Sequence, residues 1–290
     1  MSPPVRPLWR RWKSRLFVAL MGLALLACMA PLLSLLFTLW TRGSKVLSFR
    51  FLTHPWAPVG EGGGIAHAIV GSLCLLGLAS LIAVPLGLAK GLFLSQRGET
   101  RLARMTRMLL DVMSGIPAII VGLFIYTVVV RPSGFSIGTG FSMVAGSLAL
   151  AMIMLPVFAR TTEEALRSIP HTVDEAGLAL GIPRRRVVMR IVLRAAVPAV
   201  LTGFFLAFSR VAGEAAPLLF TGFGSNDWPH SPMKPVAALP HLLFDYARAP
   251  FEELVHQAWG AALVLVVMIL SIRLLTNGYV RLRRGKGAHA

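Results

Sequence analysis

Six apolar stretches dominate this chain, at about residues 16–40, 68–95, 108–130, 141–159, 198–220 and 258–280. Each has the roughly 20 residues that a helix needs to cross a hydrocarbon core about 30 Å thick. Inside lipid the backbone must satisfy its own polar groups, so only helices or a closed barrel can cross. Barrel strands would be about half as long and would alternate polar with apolar residues. The expectation is therefore an all-α polytopic membrane protein with six transmembrane helices. Charge agrees: 14% of residues are charged, against about 25% in soluble domains. With a mean hydropathy of +0.71, the chain cannot make a soluble surface.

A net charge of +17 would suggest nucleic acid in a soluble protein. Here the cations segregate by side of the membrane. Of the 29 lysines and arginines, 22 fall in the N-terminal tail, the loop after the second span, the 160–194 segment and the C-terminal end. Six lie on the other side, and Arg210 lies within a span. That asymmetry predicts both termini and the 160–194 segment in the cytoplasm. The first apolar run, Leu16 to Trp40, follows a basic tail. It exceeds the roughly 7–15 residues of a signal-peptide core and ends in no clear small-x-small site, so it reads as an uncleaved membrane helix. Three regions result: 1–67 (cytoplasmic tail, first helix, external loop), a transmembrane core over 68–280, and a basic tail over 281–290.

Cys28 and Cys74 lie in apolar runs and read as small buried hydrophobes, suggesting neither disulfide nor metal site. No cofactor motif is present. Gly62-Gly63-Gly64 follows no strand and precedes no Lys-Ser/Thr, so it reads as a flexible turn into the second span rather than a phosphate loop. Residues 222–257, rich in Pro, Gly and aromatics, are too polar to cross and predict a folded external cap. No Gly-x-x-x-x-Gly-Lys-Ser/Thr occurs anywhere, so the chain does not itself supply ATP hydrolysis.

Two stretches carry chemistry. The first is the basic loop over 160–197. Thr161-Thr162-Glu163-Glu164 has helix-start chemistry, Pro170 ends that piece, and Asp174 and Glu175 start the next. Ala176, Gly177 and Ala179 give a small-residue face, and Gly181-Ile182-Pro183 breaks it. Spacing alone leaves two readings: a surface gripped by a soluble partner, or an amphipathic helix whose Arg184, Arg185 and Arg186 meet anionic lipid. The second stretch holds Arg210 and Glu214 in the fifth span. A charge at a bilayer centre costs about 2.5–3.5 kcal/mol. Four residues apart on a helix, the two share a face and can pair. The pair is either an ion-pair clamp between helices or a cation lining an anion's path, for which a guanidinium fork is the natural ligand.

The loop resembles the EAA loop of ATP-binding-cassette importer permeases. Glu175-Ala176-Gly177, three residues, Gly181, nine residues and Ile191-x-Leu193 keep that spacing. Gly177 stands for the second Ala of the motif, and Arg194 for its usual Pro. More of the chain, about 50–280, is similar to the phosphate-specific permeases. The matching pieces include Gly62-Gly63-Gly64-Ile65, Ala68-Ile69-Val70-Gly71-Ser72-Leu73, Gly115-Ile116-Pro117, Arg160-Thr161-Thr162-Glu163-Glu164-Ala165-Leu166, and Gly213-Glu214 with Ala216-Pro217-Leu218-Leu219-Phe220-Thr221. Ala215 stands where that group usually has Thr.

The resemblance implies a type I importer permease (MetI-like) fold in the bacterial inner membrane. It implies that Glu175, Ala176, Gly177, Gly181, Ile191 and Leu193 couple to a cytoplasmic ATPase, and that Arg210 and Glu214 line a phosphate path. The implied partners are a second permease, two ATPase subunits, an extracytoplasmic phosphate-binding protein and membrane lipid, without nucleic acid. Rival readings are a permease for sulfate, molybdate or phosphonate, a stand-alone ion-coupled carrier, and a membrane scaffold, which leaves Arg210 unexplained. The charge asymmetry is tested by cysteine labelling. A cysteine in the loop between the second and third spans should react from the cytoplasmic side and one at Ser225 from outside; reaction of both from one side excludes the six-span topology.

Overall fold

The computed structural model describes residues 8–98, 100–132 and 137–287. They form helices α1 (Leu8–Gly43), α2 (Phe49–Thr53), α3 (Ala66–Arg97), α4 (Arg101–Gly115), α5 (Ala118–Ile125), α6 (Met143–Arg167), α7 (His171–Ala179), α8 (Arg184–Val187), α9 (Leu193–Ala212), α10 (Leu239–Ala247) and α11 (Glu252–Gly287). A π-helical turn extends α5 to Val130, and another, Val188–Val192, joins α8 to α9. Among the described residues the only β pairing is a bridge between Phe223 and Val236. Five helical segments are long and apolar enough to cross a membrane, and a sixth crossing exists if α4 and α5 are counted as one. The all-α, multi-span expectation holds.

The third expected span, 108–130, is not one rod. α4 and α5 meet at 101°. Pro117 lacks an N–H, and its ring bars the helical region to the residue before it; Ile116 accordingly sits at φ −71°, ψ 126°. The fourth span is longer than expected. α6 runs unbroken from Met143 to Arg167, so Thr161-Thr162-Glu163-Glu164 is helix interior and starts nothing. Thr162 and Glu163 are buried there, Glu163 at 3% exposure.

α6 is the centre of the bundle, with α3 and α9 packed against it. Small residues permit the approach, as expected between helices that gain nothing hydrophobic from meeting in lipid. A Cβ at Gly91 of α3 would stand 2.6 Å from Thr162 Cβ. One at Gly203 of α9 would collide with Thr161 Oγ1. Leu75, Leu150, Met154, Phe158, Val211 and Leu218 fill the space between them. By contrast α1 touches the bundle only near its end, where Arg42 lies over the Trp259 ring. Its remaining apolar surface faces outward, and Cys28 is exposed there rather than buried, while Cys74 is half-buried.

Charge fastens α4 to this centre. Glu163 accepts from Arg107 Nε at 2.8 Å, pairs with Arg167 at 3.1 Å and lies 3.8 Å from Arg160. Arg160 also bonds Asp111 of α4. Arg107 donates further to the carbonyls of Leu94 and Gly98 at the end of α3. The buried carboxylate thus ties α4 to α6, and Arg107 extends the tie to the end of α3.

On the opposite end, the glycine triplet is a packed joint and not a loose turn. Gly64 N–H bonds Pro55 O at 2.8 Å and Ile65 N–H bonds Phe51 O at 2.9 Å. A Cβ at Gly64 would lie 2.5 Å from Phe51 O. The segment expected as a cap does fold onto the bundle. Met143 and Val144 N–H donate to the carbonyls of Lys234 and Pro232, and Leu239 N–H donates to Ser72 Oγ at 2.7 Å.

Glu163→Gln leaves Arg107, Arg160 and Arg167 facing a neutral group. Breaking a buried ion pair from one side costs about 3–5 kcal/mol. The purified protein should unfold at clearly lower temperature and with α4 detached; an unchanged melting curve contradicts the bracing role of this carboxylate.

Candidate functional site

At one end of the bundle α7, α8 and the following π turn make a helical hairpin. Pro170 precedes α7 and Asp174 lies in its first turn, where a negative charge suits the helix dipole. The chain reverses at Gly181, whose φ of +72° is open to glycine and strained for other residues. Pro183 then starts α8. The two arms touch at Gly177: a Cβ there would stand 2.9 Å from one Val187 methyl and 3.5 Å from Ile191 Cδ1. Val187, Val192 and Ala196 are buried with Leu166 of α6, and Ile191 and Leu193 are half-buried against them. The hairpin is therefore anchored to the helix that carries Glu163.

Its outer face is bare. Glu175, Ala176, Leu178, Ala179 and Leu180 are exposed, Leu180 at 80%. The six residues of the expected coupling set thus take three places. Glu175 and Ala176 are displayed; Gly177, Ile191 and Leu193 hold the hairpin closed; Gly181 makes its bend.

The second group of expected residues lies at the far end of α9. From Arg184 to Ala212 the chain is one 29-residue membrane-length segment. The expected fifth span, 198–220, overran the helix, which stops at Ala212 with Gly213 as its cap. Pro217 bars continuation, and Leu218–Phe220 turns as a 3-10 helix. Arg210 is consequently in the last turn of α9 rather than at mid-span, and it is exposed. A cation suits that position beside the unbonded carbonyls of a helix C-terminus. Glu214 lies beyond the helix, so the four-residue spacing no longer puts it on Arg210's face. No hydrogen bond or ion pair joins the two among the described residues. Glu214 is half-buried instead beside Ser72, Leu75, Leu76 and Leu150.

Those neighbours give its depth. Leu75 is nine residues into α3, about 14 Å at 1.5 Å per residue, along a 32-residue helix. α9 therefore ends well short of the Ala66 end of α3. Beyond it the chain returns non-helically, with Pro217 against Gly122 of α5 and Thr221 O accepting from Ser142 N–H at 3.0 Å. Irregular backbone at membrane depth is tolerated where protein buries it or where it borders a polar path.

A third feature escaped the sequence. His67, His241, Asp245 and Tyr246 converge under the 222–257 cap. Burial, with the Asp245 carboxylate adding to it, pushes the Tyr246 phenol up to about 12, so it stays a donor at any physiological pH. The His241-x-x-x-Asp245 spacing was the one visible signal, whereas His67 lies more than 150 residues away in the chain.

The family model for the binding-protein-dependent transport system inner membrane component matches residues 83–284. The phosphate transport system permease protein PstA of Yersinia pestis is 38% identical over 93% of this chain and 90% of its own length. The probable phosphate transport system permease protein PstA of Methanocaldococcus jannaschii is 37% identical over 94% of this chain and 95% of its own. Among solved structures, a bacterial alginate ABC transporter in complex with an alginate-bound periplasmic protein has a chain that superposes with a TM-score of 0.69. At 15% identity, covering 95% of this chain and 98% of that one, it shares the fold.

The hairpin geometry makes a direct prediction. Gly177→Val drives a branched side chain into Val187 and should part the two arms. Trypsin should then cut the Arg184–Arg186 stretch several-fold faster, while Gly177→Ala, whose single methyl displaces less, should be cut at a rate between that of Gly177→Val and that of the natural protein. Equal cleavage of all three places the contact outside what holds the hairpin.

Proposed function

The chain belongs to the binding-protein-dependent transport system inner membrane components, among the PstA permeases, and from that premise we propose how it works. It is a permease subunit of an ATP-binding-cassette importer for inorganic phosphate. A second permease completes the membrane path, two cytoplasmic ATPase subunits drive it, and an extracytoplasmic binding protein delivers phosphate. Both termini and the α7–α8 hairpin lie in the cytoplasm. The exposed Glu175, Ala176, Leu178 and Leu180 dock in the ATPase.

One observation carries the mechanism: the hairpin and Arg210 sit at opposite ends of the same continuous segment, Arg184–Ala212. A rotation imposed on the hairpin by ATP binding travels through Gly177, Val187 and Ile191 into α9 and moves Arg210 and Glu214. Arg210 is exposed on the isolated subunit, so its fork is free to meet an oxyanion on a face that the second permease encloses. In a low-dielectric passage a fixed cation attracts an anion strongly. Arginine also stays charged there, where a lysine would lose its proton. Glu214, without an ion-pair partner among the described residues and near by in sequence, limits how long the anion stays.

Phosphate uptake into cells or liposomes carrying the full transporter tests this. Arg210→Gln should lower uptake by about tenfold or more, the worth of one charge-assisted bond, with complex yield unchanged. Glu175→Lys and Gly181→Asp should leave assembly intact and sever ATP hydrolysis from uptake. An assembled Arg210→Met, Glu214→Met double variant that still imports phosphate removes both residues from the path. Uptake that excess sulfate or molybdate abolishes favours the other oxyanions.

A further inference from the structure

The outer cap holds a polar cavity of about 240 Å³ between the start of α3, the turn at 223–226 and α10. His67 is 1% exposed, and among the described residues neither of its ring nitrogens has a partner; the buried Tyr246 hydroxyl has none there either. Buried polar atoms are nearly always paired, so three unpartnered atoms at one cavity mark a place for something that enters it. His241 Nδ1 lies 3.2 Å from Asp245 Oδ2, and Ser225 and Asn226 complete the polar lining.

The wall is built at a cost in backbone conformation. Phe223, at φ +54°, is the one non-glycine residue with positive φ among those described, and Gly224 follows at +61°. A Cβ on Gly224 would stand 2.7 Å from the His241 ring. Such backbone persists only where its surroundings over-determine it. Here Phe223 stacks on Phe141 with centroids 4.4 Å apart and bridges to Val236.

The lining selects a class of ligand. It offers donors from Tyr246, Ser225 and Asn226, donor and acceptor faces from the two imidazoles, and a pure acceptor in the Asp245 carboxylate. No lysine or arginine lines it, and no three groups are set to hold a metal ion among the described residues. A fully deprotonated oxyanion such as sulfate meets Asp245 lone pair to lone pair. Hydrogen phosphate brings its own O–H to that carboxylate while its other oxygens accept from Tyr246 and His67.

Position joins the cavity to the proposed path. His67, Gly71 and Leu75 follow at four-residue steps on one face of α3. Leu75 borders the gap beside Glu214, so the cavity lies two turns, about 12 Å, farther out. The 237–242 stretch lines both places, through Ala237 and His241 in the cavity and Ala238 and Pro240 at Glu214.

We propose that this cavity is an outer subsite in which hydrogen phosphate is held by Tyr246 and His67 and is distinguished by Asp245 from oxyanions that carry no proton. The proposal rests on the phosphate function proposed above. Without a fixed cation the hold is weak, as a transit site requires.

The test uses the assembled transporter in nanodiscs, without binding protein, carrying 15N-labelled histidine. The ring signals lost in His67→Gln and His241→Asn identify the two imidazoles. Millimolar inorganic phosphate should shift them, and sulfate at equal ionic strength should not. Tyr246→Phe should weaken the phosphate response by about three- to tenfold, the worth of one hydrogen bond, and Asp245→Asn, which adds a donor, should let sulfate in. No shift, or equal shifts with both anions, overturns the subsite and leaves a water-filled cavity. Parallel uptake measurements separate the two ideas. Phosphate import with silent imidazoles sinks the subsite alone, whereas a transporter that imports another oxyanion sinks both.

Discussion

Ending a helix inside lipid strands its last carbonyls, and α9 does so at Ala212. The surrounding architecture answers that single difficulty. Each unsatisfied backbone group in hydrocarbon costs several kcal/mol, so the chain beyond Gly213 must be enclosed by protein. Gly122 lets α5 press on Pro217, Gly146 lets α6 press on Leu218, and the cap closes over both through Lys234 and Pro232. The kink that Pro117 makes between α4 and α5 accompanies the close contact of Gly122 with Pro217.

The broken helix also explains the charges at its end. A cation in the last turn of a helix is stabilised by the carbonyls that have lost their partners. Had α9 continued to residue 220, Arg210 and Glu214 would have neutralised each other as an ordinary pair four residues apart. Ending the helix separates them, leaving an exposed guanidinium and a half-buried carboxylate. That separation turns a structural ion pair into two groups available to a third, charged species.

At the opposite end the demand is stiffness. The coupling proposed for the hairpin requires that it not flex against α6. Gly177 brings its arms into contact, Leu166 anchors its apolar side, and the Glu163 network fixes α6 to α4 one turn away. A buried carboxylate shared by three arginines is costly to assemble and hard to deform, because displacing any partner exposes an unbalanced charge. Small residues at the α3–α6–α9 contacts serve the same end by bringing backbones together where hydrophobic collapse is absent.

Much of this was written locally in the chain. Hydrophobic run length determined the class of fold and nearly all the crossings, because the bilayer sets a fixed length that sequence must match. Gly181 and Pro183 determined the hairpin's bend, and the spacing from Glu175 to Leu193 marked the loop, since φ preference and motif spacing are local properties. Tertiary structure alone decided the rest. Apolar residues from 213 to 220 look alike whether they continue a helix or fold back, and the choice fell to packing against Gly122 and Gly146. Thr161 to Glu164 read as a helix start because such residues usually stand free; arginines of α4 and of α6 itself made them interior. His67 gave no signal of its own, for its neighbours in space come from α10, about 175 residues away in sequence. Such long-range convergence, like the separation of Arg210 from Glu214, depends on which helices meet, and no local propensity records that.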